Sequence, residues 1–156
     1  MFTPYTSIAC IIFIGIQATG KSTFFKEKFF DTHVRISLDV LKTRSREKLF
    51  LDACLQSGQK FVVDNTNPTL EDRKRYIALA KAANFEVIGY YFESKLTASL
   101  QRNQNRLGKQ RIPDRGVLAT YHKLQLPTLN EGFDKLYYVQ IDAQGSFVIM
   151  EWADEI

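Results

Sequence analysis

Cysteine is scarce in this 156-residue chain, and long apolar runs are missing from it. The two cysteines, Cys10 and Cys54, belong to no metal-ligand spacing. Two isolated thiols are typical of a reducing, intracellular setting, so we expect a cytoplasmic protein with both thiols in its core. No apolar run approaches the roughly 18 residues of a membrane span. Residues 8–16 are apolar but follow no basic leader, so we expect a core strand there and not a secretion signal.

Residues 1–156 have the size of one domain, with no internal repeat, linker or low-complexity segment. Strand and helix patterns alternate along the chain. This alternation predicts an α/β fold with a mainly parallel, five-stranded sheet flanked by helices, followed by a short antiparallel edge. The predicted strands are residues 8–14, 34–37, 61–63, 87–92 and 136–141, with 147–152 as the antiparallel edge, and the predicted helices are residues 23–30, 40–57, 69–84, 96–107 and 117–126.

The stretch between the first strand and the first helix fits the pattern G-x-x-x-x-G-K-S/T. Its two glycines let successive N–H groups point at one anion, and the helix N-terminus adds partial positive charge. Lys21 can reach the β- and γ-phosphates of a nucleoside triphosphate, and the Ser22 hydroxyl can ligate Mg²⁺. We therefore predict a nucleotide-binding P-loop made of Gly15, Ile16, Gln17, Ala18, Thr19, Gly20, Lys21, Ser22 and Thr23.

Two aspartates follow predicted strands, at the sheet edge where ligands of parallel α/β sheets bind. Phosphoryl transfer to a hydroxyl needs a carboxylate that orients and deprotonates it. Asp39 ends the second strand, which we place beside the P-loop strand, and is either that carboxylate or only the N-cap of the next helix. Lys42 and Arg44 follow it and could hold an anionic part of the acceptor. Asp64 ends the third strand and either holds Mg²⁺ through a water or only caps a turn.

The formal net charge of +4 is concentrated in one segment, residues 102–115, which contains five basic side chains and one acidic one. Arg102 and Arg106 are four residues apart, so they project from one face of a helix. The planar fork of arginine matches the oxygens of a phosphate. We predict an arginine-bearing lid over roughly residues 102–116 that contacts the transferring phosphate. A solvated basic face is the alternative.

Three segments together resemble the kinase domain of polynucleotide kinases, which phosphorylate 5′-hydroxyl ends of DNA and RNA. The first of them is the most specific, because a P-loop is common to many families. The resemblance runs from the P-loop to about residue 142, although the P-loop interior lacks the Pro-Gly-Ser-Gly often found in that family. The segments are residues 62–68 (V-V-D-N-T-N-P) followed by Arg73 and Tyr76, residues 102–106 (R-N-Q-N-R) with Ile112-Pro113, and residues 127–133 (P-T-L-N-E-G-F).

This resemblance implies a nucleoside-kinase-like P-loop NTPase fold and a set of residue roles. Asp39 takes the position of the general base, and Arg106 and Arg102 those of the lid arginines that contact the phosphates of ATP. Where some members carry an arginine for the acceptor's 3′-phosphate, this chain has Lys42, and Arg44 can substitute for it. The implied catalytic set is Asp39, Lys21, Arg106 and Arg102, the acceptor contacts are Asp39, Lys42, Arg44, Asn67 and Arg73, and the ligands of Mg²⁺ or Mn²⁺ are Ser22 directly and Asp64 through water.

We therefore predict a kinase that transfers phosphate from ATP to the 5′-hydroxyl ends of DNA or RNA, with no membrane partner. The chain has no D-x-D-x-T phosphatase motif, so we expect any phosphatase or ligase activity to come from separate chains. Two alternatives stay open. One is a small-molecule kinase of the same architecture that acts on a sugar, an antibiotic or a nucleotide sugar. The other is a non-catalytic partner protein that binds ATP.

Overall fold

The computed structural model describes residues 8–153, in which a six-stranded sheet carries helices on both faces. None of the helices within this range is long and apolar enough to cross a bilayer. The strands are β1 (Ala9–Ile14), β2 (Val34–Ile36), β3 (Phe61–Val63), β4 (Glu86–Phe92), β5 (Lys135–Ile141) and β6 (Phe147–Glu151). The helices are α1 (Lys21–Lys28), α2 (Leu38–Leu41), α3 (Arg44–Ser57), α4 (Leu70–Ala82), α5 (Leu96–Gln104) and α6 (Asp114–Lys123), with short 3₁₀ turns at Gly108–Gln110 and Leu129–Glu131.

The strand order across the sheet is β2-β3-β1-β4-β5-β6. The first five strands pair in parallel and β6 pairs antiparallel with β5, so the predicted α/β sheet is confirmed and the expected edge segment joins it as a sixth strand. The prediction that the second strand lies beside the P-loop strand is wrong, because β3 separates β2 from β1. Asp64 after β3 is therefore the strand-end carboxylate next to the P-loop, and Asp39 lies one strand further out.

β1 is buried along its whole length because helices cover both of its faces. On one face, Cys10 and Ile12 pack with residues of α3 and α4. On the other face, Ile11 and Phe13 pack against α1, where the rings of Phe13 and Phe24 meet edge to face with their centroids 5.7 Å apart. Both cysteines are buried, as predicted. This packing fixes the strand from which the P-loop starts.

The predicted helix over residues 40–57 is in fact two helices, α2 and α3, separated by a break at Lys42. The backbone of Lys42 has φ of +72°, outside the helical range. Ser37 and Thr43 each accept a backbone N–H with their side-chain oxygen, so each starts a helix of its own. The break leaves α2 as a single turn directly after β2, and this turn carries Asp39.

Gly89 in β4 is a position where packing leaves no room for a side chain. A Cβ added there would stand 2.7 Å from Leu136 Cδ1 and 2.8 Å from Phe133 Cε1. We expect Gly89→Ala to lower the free energy of unfolding by about 1–3 kcal/mol, because an added methyl group overpacks a filled core. Urea denaturation measures the change.

Gly116→Ala is the matched control, since Gly116 lies in α6 and a Cβ there would come no closer than 3.5 Å to Ile112 Cγ2. We expect it to be neutral or to stabilise the protein by up to about 1 kcal/mol, because alanine favours a helix over glycine. A Gly89→Ala protein as stable as the wild type would contradict the packing argument.

Candidate active site

The P-loop backbone, residues 15–22, joins the end of β1 to the start of α1. Ala18 and Gly20 have φ of +61° and +93°, and such left-handed residues turn neighbouring N–H groups toward one point. Gly20 also has no room for a Cβ, which would stand 2.9 Å from the ring of Phe147. The Gly15 N–H donates to Thr66 O at 2.9 Å and so ties the loop to the end of the neighbouring strand. The backbone is shaped for an anion such as phosphate.

Side chains hold the P-loop from two directions. Gln17 Nε2 donates to Thr120 Oγ1 on α6 at 2.9 Å. On the other side, the Ile16 N–H donates to Ser94 Oγ, just after β4, at 3.1 Å. Within the loop, Thr19 Oγ1 donates to Ile16 O at 2.9 Å. The interior of the loop, which lacks further glycines, is therefore fixed by side-chain contacts to α6 and to the end of β4.

Lys21 is buried, with 9% of its surface exposed. Its Nζ donates to two carbonyl oxygens of the loop, at 3.0 and 2.7 Å. The pKa of Lys21 is lowered to about 8, mainly by burial; Asp64 and Asp39 act to raise it, and Arg106 acts with burial to lower it. Four charged groups from four different segments therefore lie within electrostatic reach of one another.

Ser22, Asp64 and Arg35 form a triangle of hydrogen bonds beside the loop. Ser22 Oγ donates to Asp64 Oδ2 at 3.1 Å, and Arg35 Nε donates to the same oxygen at 2.8 Å. Asp64 is buried, with 5% of its surface exposed. Thr23, the next residue of the predicted P-loop set, is exposed in the first turn of α1.

The pair of Ser22 and Asp64 fits a magnesium ion. A hydroxyl and a carboxylate are hard oxygen ligands of the kind that Mg²⁺ prefers. Residues 8–153 contain no cluster of three or more His, Cys, Asp or Glu side chains that could hold a metal. A site with so few protein ligands suits Mg²⁺, because this ion takes most of its other ligands from water and from the phosphates of a nucleotide.

Asp39 lies exposed in the first turn of α2. Ser37 is the N-cap of this helix, since its Oγ accepts the Asp39 N–H at 3.2 Å, and the alternative that Asp39 is only an N-cap is therefore wrong. The Asp39 carboxylate opposes the fall in pKa that burial causes in Lys21 and in Arg106. Lys42 is exposed at the other end of the same turn. The structure thus brings the carboxylate near a P-loop cation and a lid cation.

Two arginines of the predicted lid lie close to the P-loop. Arg102 Nη1 donates to the P-loop carbonyl of Ala18 at 3.2 Å. Arg106 follows α5, and burial lowers its pKa while Asp39 raises it. Between them, the buried Asn103 pairs with both the N–H and the carbonyl of Ile112, at 3.0 and 2.6 Å, and closes the loop. The other basic residues of the segment are exposed: Lys109, Arg111 and Arg115.

Arg73 and Asn67 lie inside the protein, with 0% and 3% of their surfaces exposed. Arg73 donates to both carboxylate oxygens of Glu131, at 2.8 and 3.1 Å, and to Asn67 O at 3.0 Å. Asn67 Nδ2 donates to Phe13 O at 2.8 Å. The prediction that they contact an acceptor is wrong, because the fold itself uses these groups. They instead join the D-N-T-N-P segment to the P-T-L-N-E-G-F segment.

A buried polar network beside the turn that carries Asp39 was not predicted from the sequence. Glu47, 3% exposed, accepts hydrogen bonds from Arg44 at 2.9 Å and from Tyr76 at 2.8 Å. Its other oxygen accepts from Asn65 Nδ2 at 3.0 Å, and Asn65 Oδ1 accepts the Leu38 N–H at 2.9 Å. Burial and Glu47 together raise the pKa of Tyr76. The helical period was the sequence signal that could have identified this residue, because Glu47 lies one turn before the first buried apolar residue of α3.

A P-loop after a central parallel strand, with carboxylates at the ends of the next strands and arginines facing the loop, defines a P-loop kinase fold. The family described as "AAA domain" matches residues 10–127, and the chain belongs to this family.

The resemblance to polynucleotide kinases is confirmed by two curated relatives. The chain is 27% identical over 127 residues to the bifunctional polynucleotide phosphatase/kinase of Schizosaccharomyces pombe, covering 79% of this chain and 31% of the relative. It is 31% identical over 133 residues to a putative bifunctional polynucleotide phosphatase/kinase of Acanthamoeba polyphaga mimivirus, covering 81% and 32%. The chain thus spans about a third of the length of these relatives.

Solved structures share the fold at low identity. A chain of the Pnkp1/Rnl/Hen1 RNA repair complex matches with a TM-score of 0.65 and 18% identity, over 79% of this chain and 46% of that one. A gluconokinase from Sinorhizobium meliloti 1021 matches with a TM-score of 0.59 and 15% identity, over 85% and 82%. These similarities confirm the predicted fold, and they concern the fold alone.

The burial of Arg73 generates a test of its role. We expect Arg73→Met to lower the free energy of unfolding by about 3–5 kcal/mol, because it leaves the Glu131 carboxylate without its counter-charge inside the protein. Arg75→Met, an exposed position in the same helix, should change stability by no more than about 0.5 kcal/mol. Chemical denaturation measures both. A stable Arg73→Met protein would show that the buried pair does not hold the fold.

Proposed function

We propose that this protein transfers the γ-phosphate of ATP to the 5′-hydroxyl end of DNA or RNA. The observation that carries the proposal is the position of Asp39, an exposed carboxylate that interacts with both the P-loop lysine, Lys21, and the lid arginine, Arg106. Base, donor site and lid cation are the three parts that a hydroxyl kinase needs. The sequence similarity to polynucleotide phosphatase/kinases supports a polynucleotide as the acceptor.

On the donor side, the P-loop N–H groups hold the phosphates of ATP and Lys21 lies against the β- and γ-phosphates. Ser22 would hold Mg²⁺ directly and Asp64 would hold it through a water. The bound ion supplies neutralisation of the negative charge on the phosphates. Arg102 and Arg106 place two further positive charges on the lid side, where charge spreads over the oxygens of the transferring group.

On the acceptor side, Asp39 accepts the proton of the 5′-hydroxyl while the hydroxyl oxygen bonds to the γ-phosphorus. The bond from the γ-phosphorus to its bridging oxygen breaks, and ADP leaves. Lys42 is exposed one helical turn after Asp39. Arg44 is half exposed but already donates to Glu47 and Tyr76. We therefore assign the contact with the acceptor's phosphate to Lys42 first and to Arg44 second. Arg73 and Asn67 have no part in it.

Transfer from γ-labelled ATP to a panel of acceptors tests the proposal. We expect label on 5′-hydroxyl DNA or RNA oligonucleotides and none on gluconate, on other sugars or on the same oligonucleotide with a 5′-phosphate. If three acceptor phosphates are bound, affinity should fall about 15- to 20-fold between 50 and 200 mM salt, from a slope of roughly −0.7 per phosphate. Label on a sugar, or ATP binding without transfer to any acceptor, would overturn the proposal in favour of one of the two alternatives.

Replacement of the proposed base tests the role of Asp39. We expect Asp39→Asn to lower the single-turnover rate of transfer by about 10²- to 10⁴-fold, because the hydroxyl loses its proton acceptor. The affinity for ATP should not fall, because the substitution removes no cation or backbone N–H that holds the phosphates. Asp31→Asn removes an exposed carboxylate just before β2 and serves as the control. Wild-type transfer by Asp39→Asn would remove this assignment.

A further inference from the structure

Arg35, in the middle of β2, places a positive charge between the two residues that would hold the metal. Its Nε donates to Asp64 Oδ2 at 2.8 Å and its Nη2 donates to Ser22 Oγ at 3.0 Å. Ser22 Oγ in turn donates to the same Asp64 oxygen at 3.1 Å. The guanidinium therefore neutralises the carboxylate and uses one of the two lone pairs of the serine oxygen.

The fold explains why this arginine points at the site. Side chains alternate along a strand, so Arg35 faces α1 while the next residue, Ile36, is buried on the opposite face. The guanidinium carbon lies 5.9 Å from the centre of the Phe25 ring on α1. The side chain is 26% exposed, compared with 2% for that of Asp64. The charge is thus held at the edge of the protein, with solvent on one side.

We propose that Arg35 is an internal counter-cation of the metal site. It neutralises the charge of the Asp64 carboxylate when no metal is bound, and it competes with a free divalent ion for Ser22 and Asp64. When the metal arrives with the nucleotide, the Arg35 side chain moves toward solvent. Two cations cannot occupy one carboxylate and one hydroxyl without strong repulsion. Arg35 is a positioning residue in this scheme, and it makes ATP binding less dependent on metal than a bare Asp64 would. The proposal rests on the metal site of the proposed function but not on the acceptor.

The first test is the binding of Mn²⁺ in the absence of nucleotide. The electron paramagnetic resonance signal of the free ion measures how much Mn²⁺ is bound. We expect Arg35→Met to bind Mn²⁺ about 10-fold more tightly than the wild type, within the range of ordinary coupling between sites. Arg75→Met, which removes an exposed arginine on α4, should leave the affinity unchanged. Equal Mn²⁺ affinities in Arg35→Met and the wild type would overturn the proposal.

The metal dependence of ATP binding is the second test, measured by calorimetry in Mg²⁺ and in EDTA. We expect the ratio of the two affinities to be about 10-fold larger in Arg35→Met than in the wild type, because metal-free ATP then meets an uncompensated Asp64 carboxylate. If both affinities fell by the same factor, Arg35 would be a phosphate contact and the proposal would be wrong. No acceptor is present in either assay, so these results do not depend on the transfer reaction.

Three further variants keep the proposal testable if Arg35→Met does not fold. Arg35→Gln keeps a hydrogen-bond donor for Asp64, and it should show the same gain in Mn²⁺ affinity if Arg35→Met does not fold. Arg35→Lys keeps the charge and should keep the weak Mn²⁺ binding of the wild type. Adding Asp64→Asn to Arg35→Gln should abolish the gain. Wild-type Mn²⁺ affinity in a folded Arg35→Gln protein would contradict the inference.

Discussion

The P-loop has to hold positive charge beside a buried strand, and the arrangement of the other charges follows from this constraint. Burial lowers the pKa of Lys21, and the nearby anions counter this fall and so favour its charged ammonium group. Asp64 supplies one anion from the next strand and Asp39 a second from the strand beyond. Each aspartate faces a cation in turn, Arg35 beside Asp64 and Arg106 near Asp39. A triphosphate and its metal would therefore enter a site whose charges are already placed in alternation.

The strand-end segment D-N-T-N connects this charged site to the rest of the fold, and each of its four residues contacts a different part. Asp64 bonds Ser22 at the start of α1, Asn65 holds the N-terminal turn of α2, Thr66 receives the first N–H of the P-loop, and Asn67 bonds the backbone of β1. The segment thus sets the P-loop and the turn carrying Asp39 in fixed positions relative to each other. Such short, directional contacts explain why a specific run of residues follows this strand, where a generic turn would only reverse the chain.

The sequence predicted the P-loop and its flanking strand and helix well because these elements are local. The P-loop, its strand and its helix are contiguous, and the buried strands are continuous apolar runs. What failed depended on partners distant in the chain. Arg73 near the motif resembled an anion contact, but Glu131, which buries and neutralises it, is 58 residues away. The strand order placed β3 between β1 and β2, which no local pattern encodes. The break at Lys42 was not predicted, because the residues around it have a helical pattern. Ser37 and Thr43 instead cap two separate helices.

The acceptor side distinguishes one P-loop kinase from another, because the P-loop itself binds only the nucleotide. Small acceptors are usually held by enclosing them, which buries most of their surface. Here the proposed base, Asp39, stands on an exposed single turn, where Val40 is 62% exposed and Lys42 lies at the surface. The end of a polynucleotide brings its own phosphate charges and bases, and binding proteins hold single strands along open, positively charged grooves with stacking side chains. The open surface around Asp39 is therefore an observation that favours the proposed polymer end over an enclosed sugar as the acceptor.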